Sequence, residues 1–233
     1  MRRVVYPSFK KKAKEGEGRM KIHADILSMQ VIPNVSPELA EKFQLKPYQR
    51  SLGLVTTTID DIGYTAIDAA TKHTDVEVVY AKSFYAGAAH SSGPLSGEFI
   101  GIIAGPSPEE VKSGLDSIRV TVEHEAYFEA INGNTDHALY AHTISSCGSY
   151  LAEMANIPVG QSLAYLIAPP LEAIIGLDAA LKAADVTLCE LYAPPSETNF
   201  GGGLLTGSQS SCQAAADAFR EAIQNMANNP LSY

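Results

Sequence analysis

The sequence predicts an α+β fold of two tandem domains, each a small and mostly antiparallel sheet flanked by helices. The first supporting observation is an internal repeat, because Asp68-Ala69-Ala70-Thr71-Lys72 returns as Asp178-Ala179-Ala180-Leu181-Lys182. The second is that strand-like and helix-like segments follow one another in the same order in both halves. The third is composition, since 45% of the 233 residues are hydrophobic and can fill the cores. A duplicated chain of this length favours two domains of about 100 residues each.

Two further pairs of segments support the duplication. Arg50-Ser51-Leu52-Gly53-Leu54 is echoed by Gln161-Ser162-Leu163-Ala164-Tyr165. Gly105, shortly before a helix start at Ser107, is matched by Gly207 followed by Ser208. All the echoes occur in one order along the chain. We therefore predict a first domain over residues 22–125 and a second over residues 126–233.

In the first half, β-branched and aromatic runs predict strands, and apolar residues at helical spacing predict helices. The predicted elements are a strand over 25–32, a short helix over 36–43, a strand over 51–57, a helix over 62–73, a strand over 76–83, a loop over 86–97 and a strand over 98–104. A further helix follows Ser107-Pro108-Glu109-Glu110, which is a capping box with proline at the first helical position.

The second half repeats this order. The predicted elements are a strand over 137–145, a short helix over 149–155, a strand over 162–168, a helix over 171–184, a strand over 186–192, a loop over 193–202, a strand over 203–206 and a helix over 209–226.

Charge is distributed unevenly along the chain. Residues 1–21 hold eight of the 17 Lys and Arg but only two of the 26 Asp and Glu. The acidic remainder argues against nucleic-acid binding and favours neutral or cationic small molecules. The basic run Lys10-Lys11-Lys12 could be a nucleic-acid or membrane arm. We favour a second interpretation, in which a purine-rich ribosome-binding site has been translated, Met20 is the true start and the head is disordered.

Several classes of protein find no support in the sequence. No apolar run approaches the roughly 18 residues of a membrane span, and no signal peptide is recognisable. The three cysteines, Cys147, Cys189 and Cys212, are too far apart for a zinc cluster or a disulfide framework, which predicts a reducing cytoplasm. We therefore predict no metal and no cofactor.

The possible enzymatic motifs are weak. Cys147 and His142 could form a nucleophile and base, but nothing signals the third, orienting group. The run Gly201-Gly202-Gly203 lacks the lysine of a phosphate loop. Ser149 and Ser208 suit helix caps better than catalysis. The sequence predicts a protein that is not an enzyme.

Specific motifs along the body resemble one known family. They are Arg50-Ser51-Leu52-Gly53-Leu54, Val76-Glu77-Val78-Val79-Tyr80, Ser83-Phe84-Tyr85-Ala86-Gly87-Ala88-Ala89-His90, Gly148-Ser149-Tyr150-Leu151, Ala168-Pro169-Pro170-Leu171-Glu172-Ala173, Pro194-Pro195-Ser196-Glu197-Thr198-Asn199 and Leu205-Thr206-Gly207-Ser208-Gln209. On these motifs, residues 24–230 resemble the EutL family of bacterial microcompartment shell proteins.

The resemblance implies two circularly permuted, ferredoxin-like shell domains per chain. It implies a homotrimer that forms a pseudohexagonal tile, packed edge to edge with other shell proteins around a cytoplasmic compartment for ethanolamine breakdown. It also implies a small pore in each subunit and a gated central channel. The solute would be a small molecule such as ethanolamine, and the larger cobalamin is a possible ligand.

The candidate pore residues begin with Asp60 and Asp61. As residues at a helix start they would be stabilised by the helix dipole, whatever else they do. The resemblance places them at the mouth of the small pore with Tyr85, Glu98 and Phe128. Acids there would attract an ammonium group, and aromatic rings would offer a cation–π face.

Two loops are candidates for gating the channel. The first contains Gly87, His90 and Gly97, and the second contains Pro194, Pro195, Asn199, Gly201 and Gly202. Prolines beside a glycine run are typical of a hinge, although such loops are also common on ordinary surfaces. His90 and Glu98 could bind a metal, but a surface pair is the more usual explanation.

A different class of protein also fits the duplicated pattern. Two ferredoxin-like domains could form a soluble regulatory module that binds a small metabolite between them. Such a module would stay discrete, whereas a shell tile would assemble into layers.

Overall fold

The computed structural model describes residues 20–84, 93–194, 196 and 198–231. The elements of the first half are β1 (Lys21–Ile22), β2 (Ile26–Ile32), α1 (Pro37–Lys42), β3 (Ser51–Thr57), α2 (Asp60–His73), β4 (Glu77–Ser83), β5 (Phe99–Gly105) and α3 (Pro108–Val120). A π-helical turn, Thr121–Glu125, follows α3 directly.

The second half repeats the element order of the first and likewise begins with two strands. Its elements are β6 (Phe128–Ile131), β7 (Asn134–Ile144), α4 (Ser149–Ala155), β8 (Ser162–Ala168), α5 (Pro170–Ala183), β9 (Val186–Tyr192), β10 (Gly201–Gly207) and α6 (Gln209–Asn228).

The strands form two sheets in which every pairing is antiparallel. The first has the order β2-β3-β5-β4, and the second has the order β1-β6-β7-β8-β10-β9. Strand β1 joins the second sheet by pairing Lys21 with Glu129. Helices pack on both sheets, so the predicted α+β class is confirmed.

The helix caps follow the predicted signals. Ser107 Oγ accepts a hydrogen bond from the Glu110 backbone N–H at 3.3 Å, and Ser208 Oγ accepts one from Ser211 N–H at 3.0 Å. Each bond satisfies a donor that a helix leaves unpaired in its first turn. Helix α2 begins at Asp60, two residues before the predicted start, so both aspartates lie inside its first turn.

The hairpin between β6 and β7 was not predicted. Its turn is Asn132-Gly133, and both residues have positive φ, at 53° and 70°. Asn-Gly with this geometry is typical of a type I′ hairpin turn, whose twist matches that of the flanking strands. The predicted strand over 137–145 therefore begins three residues too late, since β7 starts at Asn134.

The glycine run is part of a strand, which corrects the predicted loop over 193–202. Gly201 and Gly202 lie in β10 and pair with Ala168 and Ile167 of β8. Gly202 has φ +154°, and a Cβ there would collide with the carbonyl oxygen of Leu166. Glycine at position 202 allows this close strand packing, and both residues lie in a strand and not in the predicted loop.

The largest hydrophobic core runs through both halves. It contains Ile62 and Phe99 from the first half together with Tyr140, Leu151 and Leu163 from the second, all fully buried. A second cluster lies under α5 and α6, and a smaller one lies between α1 and the first sheet. The boundary at residue 125 stays a prediction, although the sheets divide the chain near it.

A buried aspartate joins the halves. Asp68 on α2 accepts hydrogen bonds from Gly148 N–H at 2.7 Å and from Leu151 N–H at 2.9 Å, both at the start of α4. Thr71 Oγ accepts a third from Ser149 N–H at 3.0 Å. Helix α4 has no side-chain cap of its own at Gly148. Its free N–H groups are thus satisfied by the other half of the chain.

Among the helices described, none is long and apolar enough to cross a membrane.

Candidate functional site

An acidic cluster lies where the two halves meet. Asp60 and Asp61 occupy the first turn of α2, and each is only 7% exposed. Glu98 immediately precedes β5 and is held by its backbone, which donates to Thr57 O at 2.9 Å and accepts from Phe84 N–H at 3.0 Å. The structure therefore brings three predicted site residues together from two separate elements.

The second half supplies a hydrogen-bond donor to Asp61 of this cluster. The Tyr165 hydroxyl donates to Asp61 Oδ1 at 2.6 Å. Thr65 Oγ donates to the Asp61 carbonyl oxygen at 3.0 Å and lies 2.7 Å from the Tyr140 hydroxyl. Asp61 is thus held by Tyr165 of β8, and Tyr140 of β7 lies next to it through Thr65.

Aromatic rings extend from the acids toward Phe128. The Tyr140 ring meets Tyr165 edge-on at 5.4 Å and stacks on Phe128 at 5.0 Å. Phe200 packs edge-on against Phe128 at 6.0 Å. Phe128 is therefore linked to the acidic cluster through Tyr140.

One buried hydroxyl is left for a ligand or water. The Tyr192 ring lies 6.2 Å from that of Tyr165, and its hydroxyl is buried without a hydrogen-bond partner among the described residues. The charge on Asp61 acts on Tyr192 and contributes, after burial, to a raised pKa of this phenol. A buried donor beside carboxylates is a group that a polar solute could engage.

Burial dominates the electrostatics of the acids. It raises the pKa of Asp61 well above the usual range, and the neighbouring Asp60 charge adds to the effect, while the bond from Tyr165 opposes it. Burial and the charge of Asp60 raise the pKa of Glu98 to about 7. A cation that entered would reverse these shifts, because it would favour the ionised carboxylates.

The other predicted loop residues divide into two groups. Tyr85, Gly87, His90 and Pro195 lie outside the described residues. Gly97 has φ +62°, and a Cβ there would collide with the carbonyl oxygen of Thr57. Asn199, with φ 64°, donates its backbone N–H to Ser196 O at 3.2 Å in the turn before β10, and Pro194 packs against Gly201.

The alternative nucleophile and base have no supporting geometry. His142 is half-buried and stacked on Tyr140, and desolvation lowers its pKa to about 4. Burial raises the pKa of the Cys147 thiol, whose nearest acceptor is Pro158 O at 3.9 Å. Within residues 20–84 and 93–194 and the described part of the chain beyond them, no group of three or more His, Cys, Asp or Glu could hold a metal ion.

Sequence reasoning missed the tyrosines of the site. A usable signal was present, because Tyr165 stands where the otherwise similar first repeat has Leu54. The acids depart from the repeat in the same way, since Pro170 and Leu171 occupy the positions equivalent to Asp60 and Asp61. Positions where one copy of a repeat turns polar are candidates for function.

Comparison with known proteins agrees with this architecture. Residues 51–131 match the family model described as the BMC domain. The chain is 55% identical to the bacterial microcompartment shell protein EutL of Clostridium perfringens over 212 residues, covering 91% of this chain and 98% of that protein. It is 47% identical to EutL of Escherichia coli over 210 residues, covering 90% and 96% of the two chains.

A solved structure is similar over almost the same extent. The crystal structure of the ethanolamine utilization protein EutL from Leptotrichia buccalis superposes with a TM-score of 0.88 at 54% identity, covering 92% of this chain and 99% of that one. These proteins are shell components, not enzymes. On this identity and coverage, the chain belongs to the EutL family of bacterial microcompartment shell proteins.

Proposed function

We propose that the chain forms homotrimeric tiles of the shell and that the acidic cluster lines a small pore in each subunit. The proposed solute is a small organic cation such as ethanolamine. The observation that carries the proposal is the burial of Asp60 and Asp61 at the junction of the two halves, with the half-buried Glu98 near Asp60 and the Tyr165 hydroxyl on Asp61. Carboxylates whose pKa is raised by desolvation and by a neighbouring negative charge, as at Asp61 and Glu98, favour a compensating cation over a neutral or anionic solute.

The assembly is tested by native mass spectrometry of the purified chain. A mass near three times 24.8 kDa is expected. A stable monomer at high concentration would contradict the tile and would favour a discrete metabolite-binding module.

The pore chemistry is tested by calorimetric titration with ethanolamine and with ethylene glycol. The two probes are similar in size, but only ethanolamine carries an ammonium group. We expect measurable binding of ethanolamine alone, weakened at least about tenfold in Glu98→Gln because one charge partner is lost, which corresponds to about 1.4 kcal/mol. The matched control is Asp116→Asn, which removes an exposed acid on α3 that pairs with Arg119. Equal binding of both probes, or equal loss in both variants, would contradict a cation site.

Gating of a central channel by the two predicted loops also remains part of the proposal. Gly97 and Asn199 both have a left-handed backbone conformation, which would fix the ends of the two loops. Images of the assembled trimer with and without ethanolamine or cobalamin would test it. Two distinct channel diameters are expected, and a single diameter under all conditions would contradict gating.

A further inference from the structure

The hairpin turn between β6 and β7 contains a chemically labile pair of residues. Asn132 is followed directly by Gly133, and both are exposed. Asparagine is labile because its side-chain amide lies within reach of the backbone nitrogen of the next residue, and a side chain on that residue hinders their reaction. A Cβ at position 133 would meet no atom within 4 Å. Neither the glycine nor its surroundings therefore obstruct the approach of the two groups.

We propose that Asn132 is a site of spontaneous deamidation in the folded chain. The Gly133 backbone nitrogen loses its proton to hydroxide and forms a bond to Asn132 Cγ, which closes a succinimide ring. The bond from Cγ to the side-chain nitrogen breaks, and that nitrogen takes a proton from water and leaves as ammonia. A water molecule then opens the ring at either of its carbonyl carbons. The products are aspartate and isoaspartate, and each adds a negative charge to the chain.

The chain contains its own comparison sites. Among the described residues, three asparagines have a left-handed backbone, with φ 53° at Asn132, 51° at Asn156 and 64° at Asn199. Asn156 is followed by Ile157, whose backbone N–H is already donated to α4 at 3.0 Å, and Asn199 is followed by Phe200. The side chains of Ile157 and Phe200 are partly buried against the main core. The three sites share a backbone conformation, so the residue that follows makes Asn132 the reactive one.

The surroundings of Asn132 determine what the added charge does. Its Nδ2 donates to Asn228 Oδ1 at 3.0 Å, and its Oδ1 accepts from Gln224 Nε2, both near the C-terminal end of α6. Deamidation replaces the donating NH2 group with an acceptor oxygen, so the bond to Asn228 Oδ1 is lost. The new carboxylate also lies at the negative end of the helix dipole, and the last turn of α6, which is described in full, contains no basic residue. The modified hairpin should therefore be held less firmly on α6.

Peptide mass spectrometry of the folded, full-length chain tests the site. After incubation in water enriched in heavy oxygen and peptic digestion at acid pH, Asn132 should show an NH2-to-OH exchange that carries the heavy isotope, because solvent water opens the ring. Conversion should be faster at pH 8 than at pH 6, because the attacking nitrogen must lose its proton. Asn156 and Asn199 should stay unmodified over the same time. Equal conversion at all three sites, or full protection of Asn132 in the folded chain, would overturn the proposal.

The variant Asn132→Gly is a matched control for the charge. Gly-Gly also suits a type I′ turn, and the variant has no side-chain amide at the site. On isoelectric focusing after incubation at pH 8, the parent chain should shift to a more acidic form by one charge per chain, and the variant should lack this shift. Labelling by an isoaspartyl methyltransferase should likewise be lost in the variant. An acidic shift of equal size in both proteins would overturn the assignment to position 132.

The variant Asn132→Asp tests the effect of the product on the fold. Its urea midpoint should lie below that of the parent chain at low salt, and the deficit should shrink at high salt because the interaction of charge and dipole is screened. Asn132→Gly loses the same bond to Asn228 without adding a charge, so its midpoint relative to the parent should not change with salt. A deficit in Asn132→Asp that is absent, or that salt does not reduce, would overturn the predicted loosening of the hairpin.

Discussion

At the scale of single residues, the hydroxyl of Tyr165 is the contact from the second half that holds Asp61. It donates to a carboxylate that is almost fully buried, and Tyr192 offers a matched comparison because its own buried hydroxyl has no partner among the described residues. Removing a donor from a buried acceptor costs about 1–3 kcal/mol, whereas removing an unpaired hydroxyl is close to neutral or stabilising.

We therefore predict different outcomes for two similar substitutions. Tyr165→Phe should lower the free energy of unfolding by about 1–3 kcal/mol. Tyr192→Phe should leave it unchanged or raise it slightly. Urea unfolding followed by circular dichroism measures both. Equal destabilisation of the two variants would show that the hydrogen bond to Asp61 is not the cause.

The raised pKa of Glu98 predicts a dependence of stability on pH. The pKa lies at about 7 in the folded chain and near 4.5 in an exposed glutamate. Between these values the folded state binds the proton more strongly than the unfolded state. The free energy of unfolding contributed by this group therefore falls as pH rises from about 4.5 to 7, by on the order of 1–2 kcal/mol after allowance for partial exposure.

Comparing the parent chain with Glu98→Gln isolates this contribution. The variant should lose that part of the decline with pH, and Asp116→Asn should keep it. His142, whose pKa is lowered to about 4, contributes the opposite slope between about pH 4 and 6.5, and it does so in all three proteins. The difference in unfolding free energy at pH 5 and pH 8 measures the effect. Identical slopes in the parent and Glu98→Gln would contradict the assignment.

At the scale of elements, helix α4 depends on a helix from the other half. Its first turn donates to Asp68 and Thr71 of α2, while Gly148 supplies no side-chain cap. The equivalent helix α1 caps itself, because Ser36 Oγ accepts from Leu39 N–H at 3.3 Å. The two repeats thus solve the same problem of unpaired N–H groups in different ways.

Asp68→Ala should therefore destabilise the chain more than an ordinary cap mutation. Two buried N–H groups lose their acceptor, and each is expected to cost about 1–3 kcal/mol. Asp116→Ala removes an exposed acid with a surface ion pair and should cost at most about 1 kcal/mol. Thermal unfolding of both variants provides the comparison. A loss for Asp68→Ala no greater than that for Asp116→Ala would contradict the capping role.

Elements with strong local signals were predictable from the sequence. Two helix starts are examples, because Ser107 and Ser208 each accept a hydrogen bond from the first turn of the helix that follows them. The glycines of β10 could not be assigned in this way. A glycine run is compatible with a hinge or with close strand packing, and only the nearby carbonyl oxygens of Leu166 and Glu190 decide between them.

The site was predictable only in part, for a similar reason. Asp60 and Asp61 are recognisable in the sequence as a pair at a helix start. Tyr165, which bonds Asp61, and Tyr140, which lies against Thr65, come from the other half of the chain. No local pattern links residues so far apart. The resemblance to the family pointed to Phe128 and Glu98. In the structure, Phe128 stacks on Tyr140, and Glu98 lies close enough to Asp60 for that charge to raise its pKa.

At the scale of the whole molecule, the two halves share one core. Fully buried side chains of the first half, such as Phe99, belong to the same cluster as Tyr140 and Leu163 of the second. A cluster that spans the predicted boundary couples the stability of the two sheets.

We therefore predict one cooperative unfolding transition. Tyrosine fluorescence and circular dichroism should give the same midpoint in urea at one protein concentration. Residues 20–125 produced alone should lack a cooperative transition, because Phe99 and Ile62 would lose their cover. Separate midpoints for the two probes, or cooperative unfolding of the fragment, would show that the halves are independent.

The divergence between Asp60-Asp61 and Pro170-Leu171 has a consequence for how such a surface can change over generations. In a ring of identical single domains, one codon change appears at every position around the axis. Duplication within one gene frees alternate positions from that constraint. One copy can acquire carboxylates at positions where the other keeps apolar residues. Selection can then change the charge of one half without changing the apolar surface of the other.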